Sequence, residues 1–281
     1  MRVLSLESRR AEEMGKLISN FGGVPTIAPS MREVPIESNT SALEFASALL
    51  RGEIHVVIFL TGVGTRALTK VIETKYAREE YFSALTKVPV IARGPKPLAA
   101  LREMGVPIAH VAPEPNTWRE VVEIFDKNPD SLPLSKRQIA IQEYGETNPD
   151  LAAALQERGA TVLPVPVYEW MLPADISPLR NAIQTLVGGE IDVAMFTSSA
   201  QLRHLFLVAT QMNLETKLKD ALAKVVIVSI GPITSEELLA HGLSPQMEPS
   251  HPKMGIMVKE AADSAHELKR SLLSRAGSPR G

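Results

Sequence analysis

Strand-length apolar runs alternate along this chain with longer stretches in which apolar side chains return every three to four residues. The first pattern is that of strands buried on both faces, the second that of amphipathic helices. Strands are predicted over Arg2–Leu6, Val24–Ala28, Ile54–Leu60, Val88–Ala92, Gln138–Gln142, Thr161–Val165, Ile191–Phe196 and Val225–Ile230. Shorter extended pieces are expected at Pro107–Val111 and beyond Gly242. Helices are predicted over Arg9–Phe21, Ala42–Leu50, a broken stretch from Thr65 to about Thr86, Pro95–Met104 and Trp118–Phe125. Further helices follow over Pro149–Arg158, Pro178–Val187, Gln201–Thr210, from Ile233 to Gly242, and over Lys253–Ser274. Ser38-Asn39-Thr40, Asn116-Thr117 and Thr147-Asn148-Pro149 read as helix caps, and Gly22, Gly159 and Gly242 as helix stops. Two proline-bounded segments, Pro29–Pro35 and Val167–Leu172, read as extended, and Asp126–Lys136 as a polar linker. Strands alternating with helices define an α/β fold with parallel sheets covered on both faces.

The pattern occurs twice. Gly94-Pro95 and Gly231-Pro232 close two similar strand-turn-helix units 137 residues apart (231 − 94 = 137). At that offset identical residues also pair as Gly22/Gly159, Phe59/Phe196, Arg66/Arg203, Leu101/Leu238, Gly105/Gly242 and Pro115/Pro252. Several are glycines or prolines at turns, where backbone geometry dictates the residue. Any two α/β units share strand-Gly-helix punctuation, but in-frame identity at this many positions favours an internal duplication. The repeat by itself suggests a cut near Asp130.

Composition narrows the chemistry. At 281 residues with 44% hydrophobic and 22% charged residues, the chain is ordinary globular material, long enough for two compact α/β domains or one large one. A formal net charge of −2 gives no bulk attraction to nucleic acid or membrane. The absence of cysteine removes disulfides, thiolate catalysis and Cys-bound zinc. MRVLSLESRR carries no apolar leader run and no apolar run reaches membrane-spanning length, so the expected compartment is the cytoplasm. The histidines show no metal spacing, Gly62–Arg66 (GVGTR) matches neither a Walker loop nor a dinucleotide fingerprint, and no GxSxG elbow occurs. No metal and no cofactor are expected.

What remains is a set of strand-to-helix junctions rich in N–H donors, hydroxyls and a few cations: Ser8-Arg9-Arg10, Thr61-Gly62-Val63-Gly64, Arg93 to Lys96, Thr197-Ser198-Ser199 and Gly231-Pro232-Ile233-Thr234. Ligands of such folds gather at strand C-termini, and helix N-termini favour anions. For any single junction ordinary capping is the simpler explanation. The five together point to a large polyanionic ligand held in a cleft shared by two lobes. Tyr168 lies in the connector VPVYEWMLP; a phenol that stays protonated at neutral pH can donate a proton to a leaving oxygen, although on the residues alone packing on the sheet edge is the favoured explanation.

From Arg2 to about Ala262 the chain resembles the uroporphyrinogen-III synthase family. The resemblance rests on the opening RVLSLESRRAEEMGKLISNFGG, the paired turns FLTGVGTRAL and FTSSAQLRHL, the VYEW connector and VSIGPITSEELLAHG. It implies two similar three-layer α/β domains joined by a two-stranded connector, with the cleft between them as active site. It moves the boundaries to a discontinuous first domain (1–35 plus 173–270), an inserted second domain (38–165), connector strands at 29–37 and 164–173, and a flexible tail at 271–281. The implied reaction dehydrates the linear tetrapyrrole hydroxymethylbilane, which carries eight carboxylates, and closes the ring with inversion of ring D. It implies a reaction without cofactor; a monomer is the default expectation, and transient contact with the upstream bilane-forming enzyme is left open. Tyr168 matches the family tyrosine assigned to hydroxyl departure, worth ~10²-fold as a general acid. Thr234, Ser198 and Arg66 also match family positions. Arg9, Arg10, Thr61, Gly62, Gly64, Lys96, Thr197, Ser199, Gly231 and Ile233 complete the substrate-binding set. Three positions depart from the pattern: Glu7-Ser8-Arg9-Arg10 replaces a Thr-Arg-Pro type turn, Leu60-Thr61 replaces Thr-Ser, and Pro97 stands where a threonine is usual. The alternative readings are a non-catalytic, hinged two-lobed receptor for an anionic, tetrapyrrole-like molecule and, last, a phosphosugar-type enzyme.

Overall fold

The structure is a computed structural model that describes residues 1–36, 39–143, 145 and 147–276. The chain opens with β1 (Arg2–Ser5), α1 (Ala11–Asn20), β2 (Val24–Ile27), β3 (Arg32–Pro35), α2 (Thr40–Leu50) and β4 (Val56–Phe59). It continues with α3 (Gly62–Ile72), α4 (Arg78–Leu85), β5 (Val90–Ala92), α5 (Pro95–Glu103), β6 (His110–Val111) and α6 (Trp118–Lys127). Then come β7 (Gln138–Gln142), α7 (Pro149–Glu157), β8 (Thr161–Val165), β9 (Tyr168–Met171) and α8 (Ser177–Val187). The last elements are β10 (Val193–Phe196), α9 (Ser199–Gln211), α10 (Glu215–Leu222), β11 (Val226–Ser229), α11 (Pro232–Ala240) and α12 (Met254–Ala276).

These elements fall into two compact units: unit 1, Met1–Arg32 with Met171–Gly281, and unit 2, Glu33–Trp170. Unit 1 holds a sheet ordered β11-β10-β1-β2. Its neighbours are all parallel, and an isolated parallel bridge from Val228 to Met247 extends the outer edge. Unit 2 holds the sheet β6-β5-β4-β7-β8, again parallel throughout. Strands β3 and β9 pair in a separate two-stranded sheet.

The offset of 137 relates the two sheets strand for strand. Strand β4 (56–59) maps onto β10 (193–196), β1 (2–5) onto 139–142 of β7, and β2 (24–27) onto 161–164 of β8. Strand β5 (90–92) maps onto 227–229 of β11, and His110 of β6 onto the bridging Met247. Each sheet therefore draws strands from both copies. A cut at Asp130 would divide neither unit from the other, because β1 and β2 complete a sheet whose other strands lie more than half the chain away.

Apolar alternation fixes the layers. In β10, Ala194 and Phe196 enter one core with Leu4, Leu202 and Leu205, while Val193 and Met195 enter another with Met14, Ile18 and Met257. In β4, Val57 and Phe59 pack with Phe45, Leu68 and Tyr81, and Val56 and Ile58 with Val121, Phe125 and Leu155. Both faces of both sheets are covered, which is why the strands read as continuous hydrophobic runs.

Several expectations need correction. Helix α3 begins at Gly62, not Thr65, because Thr61 caps it, its Oγ1 accepting the Gly64 N–H at 3.0 Å. Of the triad expected to cap α2, Ser38 lies outside the described residues, and Asn39 has φ 40° and makes no side-chain cap. Asp126–Lys136 is no free linker: Asp126 and Lys127 end α6, and Leu132 and Leu134 are buried in the core. Helix α10 was not expected, yet Leu218 and Leu222, one turn apart, are fully buried. Helix α12 runs to Ala276, so residues 271–276 are helical rather than part of a tail, and 277–281 lie outside the described residues.

Candidate functional site

The C-terminal edge of the unit 2 sheet is built around Thr61, where β4 turns into α3. Its Oγ1 accepts the Gly64 N–H and lies 3.4 Å from the Tyr168 hydroxyl. Its backbone N–H donates to Oε1 of Gln142 at 3.3 Å. Gln142 ends β7, is fully buried, and donates from Nε2 to the Glu143 carbonyl. Gly64 is required by this packing, since a Cβ there would run into the Gln142 side-chain amide. Gly62 is held as closely: a Cβ would fall 2.6 Å from the Lys96 carbonyl oxygen. Tyr168 is 4% exposed, its ring in the core with Phe45, Phe59 and Val165. Its hydroxyl is thereby fixed against the N-cap of α3.

The charged groups of this edge are less concentrated. Arg66 spends its guanidinium on Glu103 at 2.6 Å and on the Gly62 carbonyl at 3.3 Å. Lys96, in the first turn of α5, is exposed. Prolines on both sides of it remove N–H groups, so α5 opens with fewer donors than most helices. Glu143 is 6% exposed, and burial pushes its carboxyl up, against a hydrogen bond from the Asn148 N–H at 3.3 Å.

The corresponding edge of unit 1 is richer in hydroxyls. Ser198 caps α9, its Oγ accepting the Ala200 N–H at 3.3 Å. Ser199 Oγ accepts from Arg203, which also pairs with Glu237. Thr197 donates its N–H to Gln201 Oε1 at 2.8 Å and its O–H to Glu7 Oε2 at 2.6 Å, and accepts from Gln201 Nε2 at 2.7 Å. Helix α11 starts after Gly231, where Ser229 Oγ donates to the Gly231 carbonyl at 2.9 Å. Ile233 is half-buried and Thr234 is 4% exposed in its first turn. Arg9 and Arg10 are exposed, and Arg10 is paired with Glu13 at 2.6 Å.

The structure thus brings Thr61, Gly62, Gly64 and Tyr168 together in unit 2, with Arg66 and Lys96 on the adjoining turns. In unit 1 it groups Thr197, Ser198 and Ser199 at one helix start and Gly231, Ile233 and Thr234 at another. Sequence reasoning passed over Gln142, Gln201, Glu143 and Glu7. The first two carried a signal: Gln142 is a polar end to an otherwise apolar strand, and Gly64 and Gln201 occupy equivalent places in the two copies. Among the described residues no group of three acidic, His or Cys side chains could hold a metal, and no helix is long and apolar enough to cross a membrane.

Fold and edges together define a class: a duplicated parallel α/β protein whose strand C-termini present helix N-termini and hydroxyl groups. Within that class the comparisons with known proteins are specific. The family model described as Uroporphyrinogen-III synthase HemD matches residues 12–259. The chain belongs to the uroporphyrinogen-III synthase family. It is similar to a putative uroporphyrinogen-III synthase of Methanothermobacter thermautotrophicus, 26% identical over 238 residues, with 84% of this chain and 87% of that protein covered. It is also similar to the uncharacterized protein YjjA of Bacillus subtilis, 28% identical over 269 residues, with 93% and 94% covered. Among solved structures, a mutant uroporphyrinogen III synthase from the extremely thermophilic bacterium Thermus thermophilus aligns with a TM-score of 0.72 at 25% identity, covering 95% of this chain and 99% of that one.

Proposed function

We propose that this chain is a uroporphyrinogen-III synthase, a lyase that dehydrates hydroxymethylbilane and closes the macrocycle with ring D inverted. The observation that carries the reading is the Tyr168 hydroxyl held 3.4 Å from Thr61 Oγ1, at the start of α3, in a chain whose family is this one. Closure needs a proton for the departing hydroxyl. Tyr168 would donate its phenolic proton to that oxygen as the carbon–oxygen bond breaks, releasing water. Thr61 orients the phenol, and the surrounding core excludes bulk water from it. The proton returns to the phenolate when the attacking pyrrole loses its own. Since unaided closure gives the non-inverted ring, most of the protein's contribution is conformational, holding the bilane in the bent arrangement that inversion requires.

The substrate carboxylates suit the remaining groups. Ser198, Ser199, Gly231, Ile233 and Thr234 offer hydroxyls and helix N-termini in unit 1, and Gly62, Gly64, Arg66 and Lys96 offer N–H groups and cations in unit 2. The proposal includes a monomer in the cytoplasm, acting without cofactor on a linear tetrapyrrole delivered by the upstream bilane-forming enzyme.

The test is a coupled assay in which porphobilinogen and that upstream enzyme are incubated with and without this protein, and the oxidised porphyrins are separated. A shift from isomer I to isomer III is expected, and Tyr168→Phe should slow it by roughly 100-fold. Isomer I alone from folded protein would overturn the reading. One observation favours a second reading, a non-catalytic receptor for an anionic tetrapyrrole: Tyr168 is only 4% exposed, as a purely structural aromatic would be. Tetrapyrrole binding without isomer III would select it.

A further inference from the structure

The junction after β1 already contains a carboxylate. Glu7 Oε1 accepts the N–H of Arg10, the N-cap of α1, at 3.2 Å, and Glu7 Oε2 accepts the hydroxyl of Thr197 at 2.6 Å. Glu7 is half-buried there. The other donors nearby are also committed. Thr197 is closed on both sides by Gln201, and the Arg10 guanidinium lies on Glu13. Ser8 Oγ accepts the N–H groups of Ser30 and Met31, each at 3.2 Å, and donates to the Leu6 carbonyl. This junction therefore carries the anion that a helix N-terminus favours, supplied by the chain itself. The other two junctions of unit 1 keep a hydroxyl in reserve: Ser198 accepts one N–H and keeps its proton to donate, and at the α11 start, where Ser235 donates to Glu248, no hydrogen bond of the Thr234 hydroxyl is found among the described residues.

We propose that Glu7 is a specificity determinant: a built-in carboxylate that closes the β1–α1 junction, and with it the Thr197 hydroxyl beside the α9 cap, to ligand carboxylates. The inference rests on the anionic-ligand part of the proposed function and is independent of catalysis. It takes Arg10 and Thr197 out of direct contact with ligand carboxylates and makes them the residues that hold Glu7. A ligand carboxylate placed about 4 Å from Glu7 would lose at least about fivefold in affinity, the repulsion of unit charges in water. The loss is screened by salt.

Fluorescence titrations with uroporphyrin I, an octacarboxylate, compare the full-length protein with Glu7→Gln, which keeps an acceptor for Thr197 and removes the charge. Glu12→Gln, on the exposed face of α1, controls for net charge. Binding by Glu7→Gln is expected to be about fivefold tighter at low ionic strength, with the gain shrinking as salt is added. Glu12→Gln should show little of it. Unchanged or weaker binding by Glu7→Gln, or an equal gain in Glu12→Gln, would overturn the proposal. If Glu7→Gln does not fold, the unaltered protein decides it: inorganic sulfate should shift the Ile233 amide resonance and leave that of Arg10 in place, and a shifted Arg10 amide refutes the idea. The isomer assay judges catalysis separately. Isomer I alone, with tighter porphyrin binding by Glu7→Gln, would sink the enzyme and keep this inference.

Discussion

Gly64→Ala tests the packing at the heart of the unit 2 edge. On helix propensity alone the change should stabilise α3 by up to about 1 kcal/mol. The structure predicts the opposite, because the new Cβ would overlap the Gln142 amide. Gln142 is fully buried and has little room to retreat. Moving it strips the Thr61 N–H of its acceptor and the Glu143 carbonyl of its donor. Overpacking costs about 1–3 kcal/mol and an orphaned buried donor about 1–3 kcal/mol. Set against the propensity gain, the net loss is roughly 2–4 kcal/mol. For a unit of this size that lowers Tm by roughly 5–12 °C.

Unit 1 supplies the rescue. There Gln201 stands at the place equivalent to Gly64, and the fully buried Ser5 at the place equivalent to Gln142. Gln201 Oε1 accepts the N–H of Thr197, the place equivalent to Leu60 and one residue before the cap, at 2.8 Å, whereas Gln142 accepts the N–H of the cap Thr61 itself. The buried amide thus comes from the strand in one unit and from the helix in the other. Gly64→Gln and Gln142→Ser should each destabilise, while the double variant, in which residue 142 no longer crowds residue 64, recovers about 1–3 kcal/mol of their summed loss. Thermal and urea melts of the four proteins measure the cycle. A Gly64→Ala protein as stable as the parent, or a double variant no better than the sum of the singles, would refute the account.

Burial opposes the charge of Asp192, but the Lys269 ammonium and the N–H and guanidinium of Arg2 outweigh it and hold the carboxyl well below the usual range. A lowered folded pKa stabilises above the unfolded value near 4 and that contribution drains away as pH falls below it. Asp192→Asn should therefore cost roughly 1–2 kcal/mol at pH 7, both cations being partly exposed, with the gap closing as the pH of the melt falls from about 5 towards 2. Glu143 has the reverse sign: burial raises its pKa from 4.5, so its ionisation costs stability as pH rises through the folded value. Glu143→Gln should melt higher than the parent at pH 7 and equal to it below about pH 4. Gly231→Ala meets nothing closer than Pro252 at 3.9 Å and should leave Tm within a few degrees while weakening porphyrin binding, whereas Gly94→Ala, 2.6 Å from the Asn116 side-chain amide, should lower Tm.

Much of the fold was legible because strands buried on both faces announce themselves as apolar runs: β8 falls where Thr161–Val165 predicted it, and β7 where Gln138–Gln142 did. Glycine and proline punctuation carried the duplication, since turns constrain residue type more tightly than cores do. Helix α10 was missed because only Leu214, Leu218 and Leu222 mark it, among charged residues that resemble a polar connection. Asp126–Lys136 misled in the opposite way, its apolar content being just the two leucines that it buries. The candidate site was legible only at its glycines and hydroxyls. Gln142 and Gln201 act through contacts between elements distant in sequence, and a single chain gives no direct sign of such pairs. Glu7 was visible as a departure at the first turn, but not as a carboxylate seated on Thr197, 190 residues away.

The differences between the two copies bear on the proposed reaction more directly than their likeness. A ring closed from a linear tetrapyrrole with one pyrrole inverted demands a protein that treats the two ends of a nearly repetitive ligand differently. Two sheets with identical edges could not distinguish them. Here the edges have diverged at equivalent places: Pro97 for Thr234, Lys96 for Ile233, Gly64 for Gln201, and buried Leu6 for buried Glu143. The α5 start offers a cation and few N–H groups, and the α11 start a hydroxyl without a cation. Unit 2 holds the phenol poised on a helix cap, and unit 1 holds the internal carboxylate of Glu7. Substitutions that make one edge resemble the other should therefore erode isomer selectivity before they erode binding. Pro97→Thr with Lys96→Ile, which copies the α11 start into α5, is the variant to assay, and an unchanged isomer ratio from it would show that the asymmetry lies elsewhere.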